Sequence, residues 1–529
     1  MNKTALSSII VLMILFSAVT GTQFITLASA QTSETIIINL DGSVDPATAP
    51  ISTFDRVTYT FTGGVYAEII VERDNVIING NESTLQGNGN GRGIALYGRT
   101  NVTVRNLQIK NFACGVFLDS SSGNSLDGNN ITNNSYGVWL GSSSDNTISG
   151  NIVTANNATG IQLAVSPGNI IDGNDISENN YGLWLESSSS NRISSNNVTR
   201  NGYGVTLTSS SNSIVFGNII ADNDYGLWLS SSNSTNINSN LITASTIACV
   251  TFMSSSDNAF FGNNISSKDG GFGIGVVDSS LNRIFGNNMT NTSTGVGFSS
   301  SHYNVVSGNN LSNNSYGISL TKSINNIISG NNIANNVFGV TFHSSSENKI
   351  FHNNFDSNNQ QVYAQSEPAV NNPEYSPSVN VIDDGYPSGG NYWSDYEGSD
   401  ADDDAIGDTP YVVDARNTDH YPLMSAYNIS QSPIPTPIPA PTPEPTPTPT
   451  PAPTPTSLNS PSPSTSPAPS PITSPSPEPS QEPNFLQETQ NSEPSPTASV
   501  ITSSEAVSVV GVGLIFYFKK RGRRPRDKA

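Results

Sequence analysis

The sequence predicts an all-β chain whose body is a parallel β-helix of about 22-residue coils, and three observations carry that prediction. A Gly recurs ahead of an apolar triplet at Gly93, Gly115, Gly137, Gly160, Gly182, Gly204, Gly226, Gly273, Gly295, Gly317 and Gly339, with Cys249 filling one turn of the series. Steps are 22 residues, slipping by one near 160 and 249 and by two before 273. Asn returns in the same register nine residues later (Asn124, Asn146, Asn169, Asn191, Asn258, Asn282, Asn304, Asn348) and again from Asn129 through Asn151, Asn174 and Asn196 to Asn353. Finally, "GVWL" alternates as a short strand does, "NTISGNIVT" supplies two more β-type pieces with Ile148 and Ile152 inward, and no 3.6-residue period competes. Three short strands fill 22 residues as one triangular coil, whereas a propeller blade needs about twice that length.

The elements follow in order. Residues 1–30 read as a secretory signal: Asn2-Lys3, the apolar run Ile9–Phe16, then Ala28-Ser29-Ala30 as a cleavage site, with an uncleaved anchor as the alternative. Residues 31–92 form an N-terminal cap with the first strands, and 93–360 the repeated coils. Stacked Asn amides hydrogen-bond to the coils above and below, and Asn and Gly tolerate the left-handed corners. Triplets such as Asn197-Val198-Thr199 and Asn264-Ile265-Ser266 are glycan acceptors by pattern alone. Cys114 and Cys249 lie six coils apart, about 29 Å at the strand spacing. A disulfide is thereby excluded and two buried free thiols are expected.

Residues 361–428 form a C-terminal cap with an acidic loop, in which Trp393 of "GGNYWSDY" closes the last coil. Residues 429–497 are a Pro/Ser/Thr stalk, disordered and polyproline-like. Residues 498–518 form a transmembrane or sorting segment, followed by a basic cytoplasmic tail at 519–529. The protein is thus expected to be exported and membrane-anchored at the cell surface, with its C-terminus inside. A net charge of −21 argues against nucleic acid as a partner.

The opening segment "VERDNVIINGNESTLQGNGNGRGIALYGRTNVTVRNLQIKNF", the 22-residue coils and the closing "GGNYWSDYEGSDADDDAIGDTPYVVD" are similar to the NosD-type family, especially its surface-tethered archaeal versions. The resemblance spans about residues 34–425. It implies a right-handed, pectin-lyase-like solenoid and a carbohydrate-binding or sugar-hydrolysis-like role. The family name also raises copper. His302, His343, His352 and His420 have no Cys or Met clustered beside them, which disfavours copper(I).

Trp139, Trp184 and Trp228 each stand two residues after the column Gly, on an outward position, with Phe117 ahead of them and Gln162 and Thr206 between. Rings on alternate coils, about 10 Å apart, suit stacking on alternate sugars of an extended glycan. Burial under a loop or under the 355–425 module is the alternative. Glu178, Arg200 and Asp222 read as an ion-pair ladder across successive coils, in preference to a catalytic carboxylate pair. Glu186 and Asp224 stand near the Trp strip as sugar contacts. Asp400, Asp402, Asp404 and Asp408 match the 1-3-5-9 spacing of a calcium loop, with Ile406 at the carbonyl position. Ala405 replaces the turn Gly and Tyr411 the closing Glu, so the expectation is a low-affinity extracellular calcium site, against a solvated acidic turn. The function expected is non-catalytic binding of a polysaccharide or glycan at the cell surface. The alternatives are a β-helix polysaccharide hydrolase or lyase, and a structural envelope protein or adhesin.

Overall fold

A computed structural model describes residues 35–268, 270–365 and 376–429. The signal (1–30), the stalk beyond 429, the membrane segment (498–518) and the tail (519–529) lie outside the described residues. Among those described, no helix is long and apolar enough to cross a membrane.

The coils stack into a right-handed parallel β-helix with three sheets of 16, 15 and 14 strands. One coil shows the plan. Tyr136–Gly141 lies in the first sheet, Thr147–Ser149 in the second and Ile152–Thr154 in the third. Each strand pairs in register with its equivalents one coil before and one coil after, so Leu140 sits between Leu118 and Leu163, and Ile148 between Leu126 and Ile171. Val138, Leu140, Ile148 and Val153 point inward and are fully buried. Burying such a side chain contributes roughly 1.5–3 kcal/mol, and every coil repeats it. The inward residue of the third strand corrects the sequence expectation. Ile152 is 46% exposed and Val153 is buried, because Asn151 already occupies the corner and turns the next residue outward.

The Gly column has a steric cause. A Cβ on Gly137 would lie 2.5 Å from the Gly160 carbonyl oxygen and 2.8 Å from Val153 Cγ1, so the first strand can follow its corner only without a side chain. Both cysteines are free and buried, and burial pushes the Cys114 thiol up to about 12 and Cys249 up to about 11.

Four polar ladders run along the corners, where the sequence reading recognised two. Asn174 shows the bonding: its Oδ1 accepts from Asn151 N and Nδ2 at 3.0 Å each, and its Nδ2 donates to Asn196 Oδ1 at 2.9 Å and Ile148 O at 2.9 Å. Asn326 belongs to the other recognised ladder. A third ladder runs through Asn134, Asn156, Asn179, Asn201 and Asn223. A fourth, of serines, passes the Ser143 N–H to Ser166 Oγ at 2.9 Å and the Ser166 N–H to Ser188 Oγ at 2.9 Å. A left-handed residue precedes each rung of the coil: Ser142, Asp145, Gly150 and Ala155 have φ of 48°, 57°, 61° and 55°. That conformation aims the next side chain inward along the corner.

Both ends are closed. At the N-terminal end, Val44–Asp45 and Ile51–Ser52 pair antiparallel with Ile36–Ile38 and Thr58–Phe61, covering strand edges with short hairpins. At the C-terminal end, irregular segments carry the ladders onward: Asn348 bonds to Asn380, Asn380 to Asn417, and Asn353 to Asn391. Trp393 is the expected cap, 1% exposed and stacked between Phe355 at 4.4 Å and Tyr411 at 4.2 Å. Its Nε1–H donates to Asp419 at 2.8 Å, and the same carboxylate oxygen accepts from Asn391 N at 2.8 Å.

Candidate functional site

The outer face of the first sheet gathers most of the aromatic candidates. In Tyr181–Glu186, Leu183 and Leu185 turn into the core, while Tyr181, Trp184 and Glu186 face out. Register places Phe117, Trp139, Gln162, Trp184, Thr206 and Trp228 side by side in one row over six coils. The tryptophans occupy alternate coils of that row and are half-buried. Among the described residues, their ring contacts are with the same sheet and not with the 355–425 region.

A second aromatic row escaped the sequence reading. Tyr136, Tyr181, Tyr203 and Tyr225 immediately precede the column Gly and lie beside the Trp row. Tyr181, Tyr203 and Tyr225 stack continuously, with centroids 4.8 and 4.7 Å apart. Tyr181 also stacks on Trp184 at 4.9 Å, and Tyr136 packs on Trp139 at 4.8 Å. Burial by these neighbours pushes the Tyr203 hydroxyl up to about 12. The signal was the Tyr that precedes Gly in "YGVW", "YGLW" and "YGVT". At the N-terminal end of the strip, the Arg92 guanidinium lies 4.3 Å from the Phe117 ring centroid.

Glu178, Arg200 and Asp222 occupy the left-handed corner before the third Asn ladder, with φ of 58°, 56° and 55°. Glu178 and Arg200 pair at 3.2 Å with both side chains more than half exposed. Asp222 is not among the described ion pairs, so the expected three-member ladder reduces to one pair: Arg200 turns back to Glu178. Glu186 and Asp224 are exposed on opposite edges of the aromatic strip. A cavity of about 670 Å³ lies at the N-terminal end of the solenoid, away from the strip, against Pro46, Pro50, Tyr66, Asn88 and Phe112. Its lining holds a single carboxylate, Glu68, where glycoside hydrolysis ordinarily uses two.

The acidic loop brings ligand atoms of Asp400, Asp402 and Asp404 within 4.8 Å of one another. Asp408 is not one of those three, though its charge also bears on Asp402, and it accepts a hydrogen bond from Ala401 N at 2.7 Å. Ala405 makes the sharp turn without glycine, at φ 72°, and its N–H donates to Asp400 at 2.9 Å. The neighbouring Asp404 charge raises the Asp402 carboxyl, an arrangement that a hard cation with oxygen ligands would relieve. The histidines do not converge: His302 donates no ligand to a cluster, His352 stacks on Tyr427 and His420 pairs with Asp383 at 3.0 Å. No described Cys joins them, so this residue set does not fit a copper site.

Residues 92–242 match the family model described as right handed beta helix region, and residues 273–398 match the one described as periplasmic copper-binding protein (NosD). No curated protein matches the chain. Among solved structures, a double mutant of the periplasmic alginate epimerase AlgG is similar at 16% identity and a TM-score of 0.40, covering 54% of this chain and 81% of its own. DFA-IIIase from Arthrobacter chlorophenolicus A6 is similar at 11% identity and a TM-score of 0.37, covering 51% and 84%. The A-module of the Azotobacter vinelandii mannuronan C-5 epimerase AlgE6 is similar at 13% identity and a TM-score of 0.31, covering 61% and 90%.

Proposed function

We propose, from the premise that the chain is a NosD-type right-handed parallel β-helix protein, that it binds a polysaccharide along the outer face of its first sheet without cleaving it. One observation carries the proposal: an unbroken row from Phe117 to Trp228, with tryptophans on alternate coils and a tyrosine row holding their orientation. The row runs parallel to the solenoid axis and meets an extended chain rather than a compact ligand. A ring-to-sugar stack is worth about 1 kcal/mol, so losing one Trp weakens binding roughly five- to tenfold. Export through 1–30 and attachment through 498–518, as the sequence leads one to expect, would set this face outside the cell. The Asp400, Asp402 and Asp404 group is proposed as a weak calcium site that stiffens the cap.

The test is retention on a polysaccharide panel, with and without calcium, while new chain ends are counted. Retention without cleavage, weakened in Trp184→Ala, is the expected result. New chain ends would replace the binding reading with hydrolysis or lysis, and Glu178→Gln, Glu186→Gln, Asp222→Asn and Asp224→Asn would then locate the acid and base. Calcium raises the melting temperature if the acidic loop holds it, and Asp402→Asn removes that rise.

A further inference from the structure

The middle of the aromatic row contains three polar atoms that the fold leaves unpaired. Gln162 Oε1, Trp184 Nε1 and Thr206 Oγ1 are buried and have no hydrogen-bond partner. They belong to directly paired positions on three consecutive strands. Gln162 is 6% exposed and Thr206 is 5% exposed. Six other buried polar atoms of the described residues, among them Ser245 Oγ and Ser307 Oγ, also lack partners, but no two of them are register-paired, whereas these three lie side by side at the centre of the outward row. A buried polar group without a partner costs stability, and such frustration persists where a ligand supplies the missing bond.

The three atoms also specify what is missing. An amide oxygen accepts, an indole N–H donates, and a hydroxyl does either. Over two coil spacings, about 10 Å, that set complements a run of sugar hydroxyls. The surroundings select against acidic sugars: Glu186 edges one side of Trp184, Asp224 edges the other side of the strip, and Asp119 lies at its N-terminal end. Arg92 sits on the Phe117 ring, at the far N-terminal end of the row from these vacancies. Tyr181 stacks on Trp184 at 4.9 Å, and a rotamer change of such a half-buried ring is fast enough to admit a ligand to the indole N–H.

We propose that Gln162, Trp184 and Thr206 form the hydrogen-bonding centre of the strip and recognise the hydroxyls of a neutral polysaccharide lying along the solenoid axis. This rests on the binding-strip reading and deepens it. Glu186 and Asp224 reject polyuronates by charge.

The experiment measures electrophoretic retardation of the full chain in gels containing hydroxyethylcellulose, mannan or alginate, alongside urea unfolding without ligand. Wild type is retarded by at least one neutral polymer and not by alginate. Gln162→Met with Thr206→Val removes two vacancies at nearly constant volume. The double variant unfolds at equal or higher urea concentration, yet loses at least tenfold in affinity. A lower urea midpoint shows that the two side chains serve the fold and overturns the proposal. Unchanged retardation in the double variant, with loss in Trp184→Ala, preserves the aromatic strip and overturns the polar centre. Retardation by alginate overturns the neutral class, and no retardation of wild type by any polymer overturns both this centre and the strip.

Discussion

Truncating one interior rung tests whether the Asn ladders hold the coils together. Asn174 is 1% exposed and engages five hydrogen bonds: two accepted from Asn151 and three donated, to Ile148 O, Asp172 O and Asn196 Oδ1. Asn174→Ala removes all five. Some partners keep other bonds, since Asn151 Nδ2 still reaches Leu126 O and Ser149 O at 2.9 Å each. The Asn151 backbone N–H retains none, and an orphaned buried donor costs about 1–3 kcal/mol. Adding the net worth of the four remaining contacts, about 0.5–1.5 kcal/mol each, gives a loss of at least about 3 kcal/mol. Ser213→Ala is the matched control. Ser213 is equally buried in a neighbouring ladder, but it accepts from Asn191 N only at 3.4 Å and donates to Ser211 O only at 3.5 Å, so its loss costs less than about 1 kcal/mol. Urea unfolding followed by far-UV circular dichroism at neutral pH measures both variants. Equal midpoints for Asn174→Ala and Ser213→Ala would show that van der Waals stacking alone sets coil cohesion, and the argument from the ladder would fail.

Three further outcomes follow from the same geometry. Val165 is the β-branched member of a left-handed corner position filled by Ser142 and Ser187 in the adjacent coils, at φ 52° and 60% exposed; Val165→Asn raises stability by about 1 kcal/mol, read as a higher urea midpoint. The thiols of Cys114 and Cys249, pushed up to about 12 and 11 by burial, resist a thiol reagent at pH 8 until urea opens the coils; labelling of the folded protein would contradict their placement. Burial raises the Asp419 carboxyl to about 6 from 3.8, so the fold favours its protonated form. Its contribution is complete below about pH 4 and is lost by about pH 6, roughly 3 kcal/mol in all. The stability difference between wild type and Asp419→Asn therefore changes across that window, and a pH-independent difference would rule the assignment out.

The fold was legible because a solenoid writes its geometry along the chain: each corner recurs every 22 residues, so Gly137 and Asn151 announce their roles through Gly160 and Asn174. The details that escaped depend on which way a side chain turns within one corner. Ile152 and Val153 are both apolar, and only the position of the Asn151 rung decides that the second faces the core. The serine ladder was hidden because Ser is also the common filler of this chain's turns, so Ser143 looks like Ser142 until its Oγ is seen to accept from the coil before.

The site was legible in one row and illegible in the next for a related reason. Trp is rare in this sequence, so Trp139, Trp184 and Trp228 stood out, while Tyr181 and Tyr203 were absorbed into the apolar pattern around the column Gly. Gln162 and Thr206 looked like gaps between tryptophans. In the structure they are the positions where the outward row carries unmet hydrogen-bonding capacity. A repeat that only had to stack could have filled both with apolar β-formers at no cost to register, as Ile161 and Val205 do one residue earlier on the inner face. On the proposed reading, retaining a buried amide and hydroxyl there costs the free protein stability that a bound hydroxyl-bearing chain would restore. On that reading the alternation of Trp with polar residues is a second pattern written over the structural one, answering to a partner outside the fold.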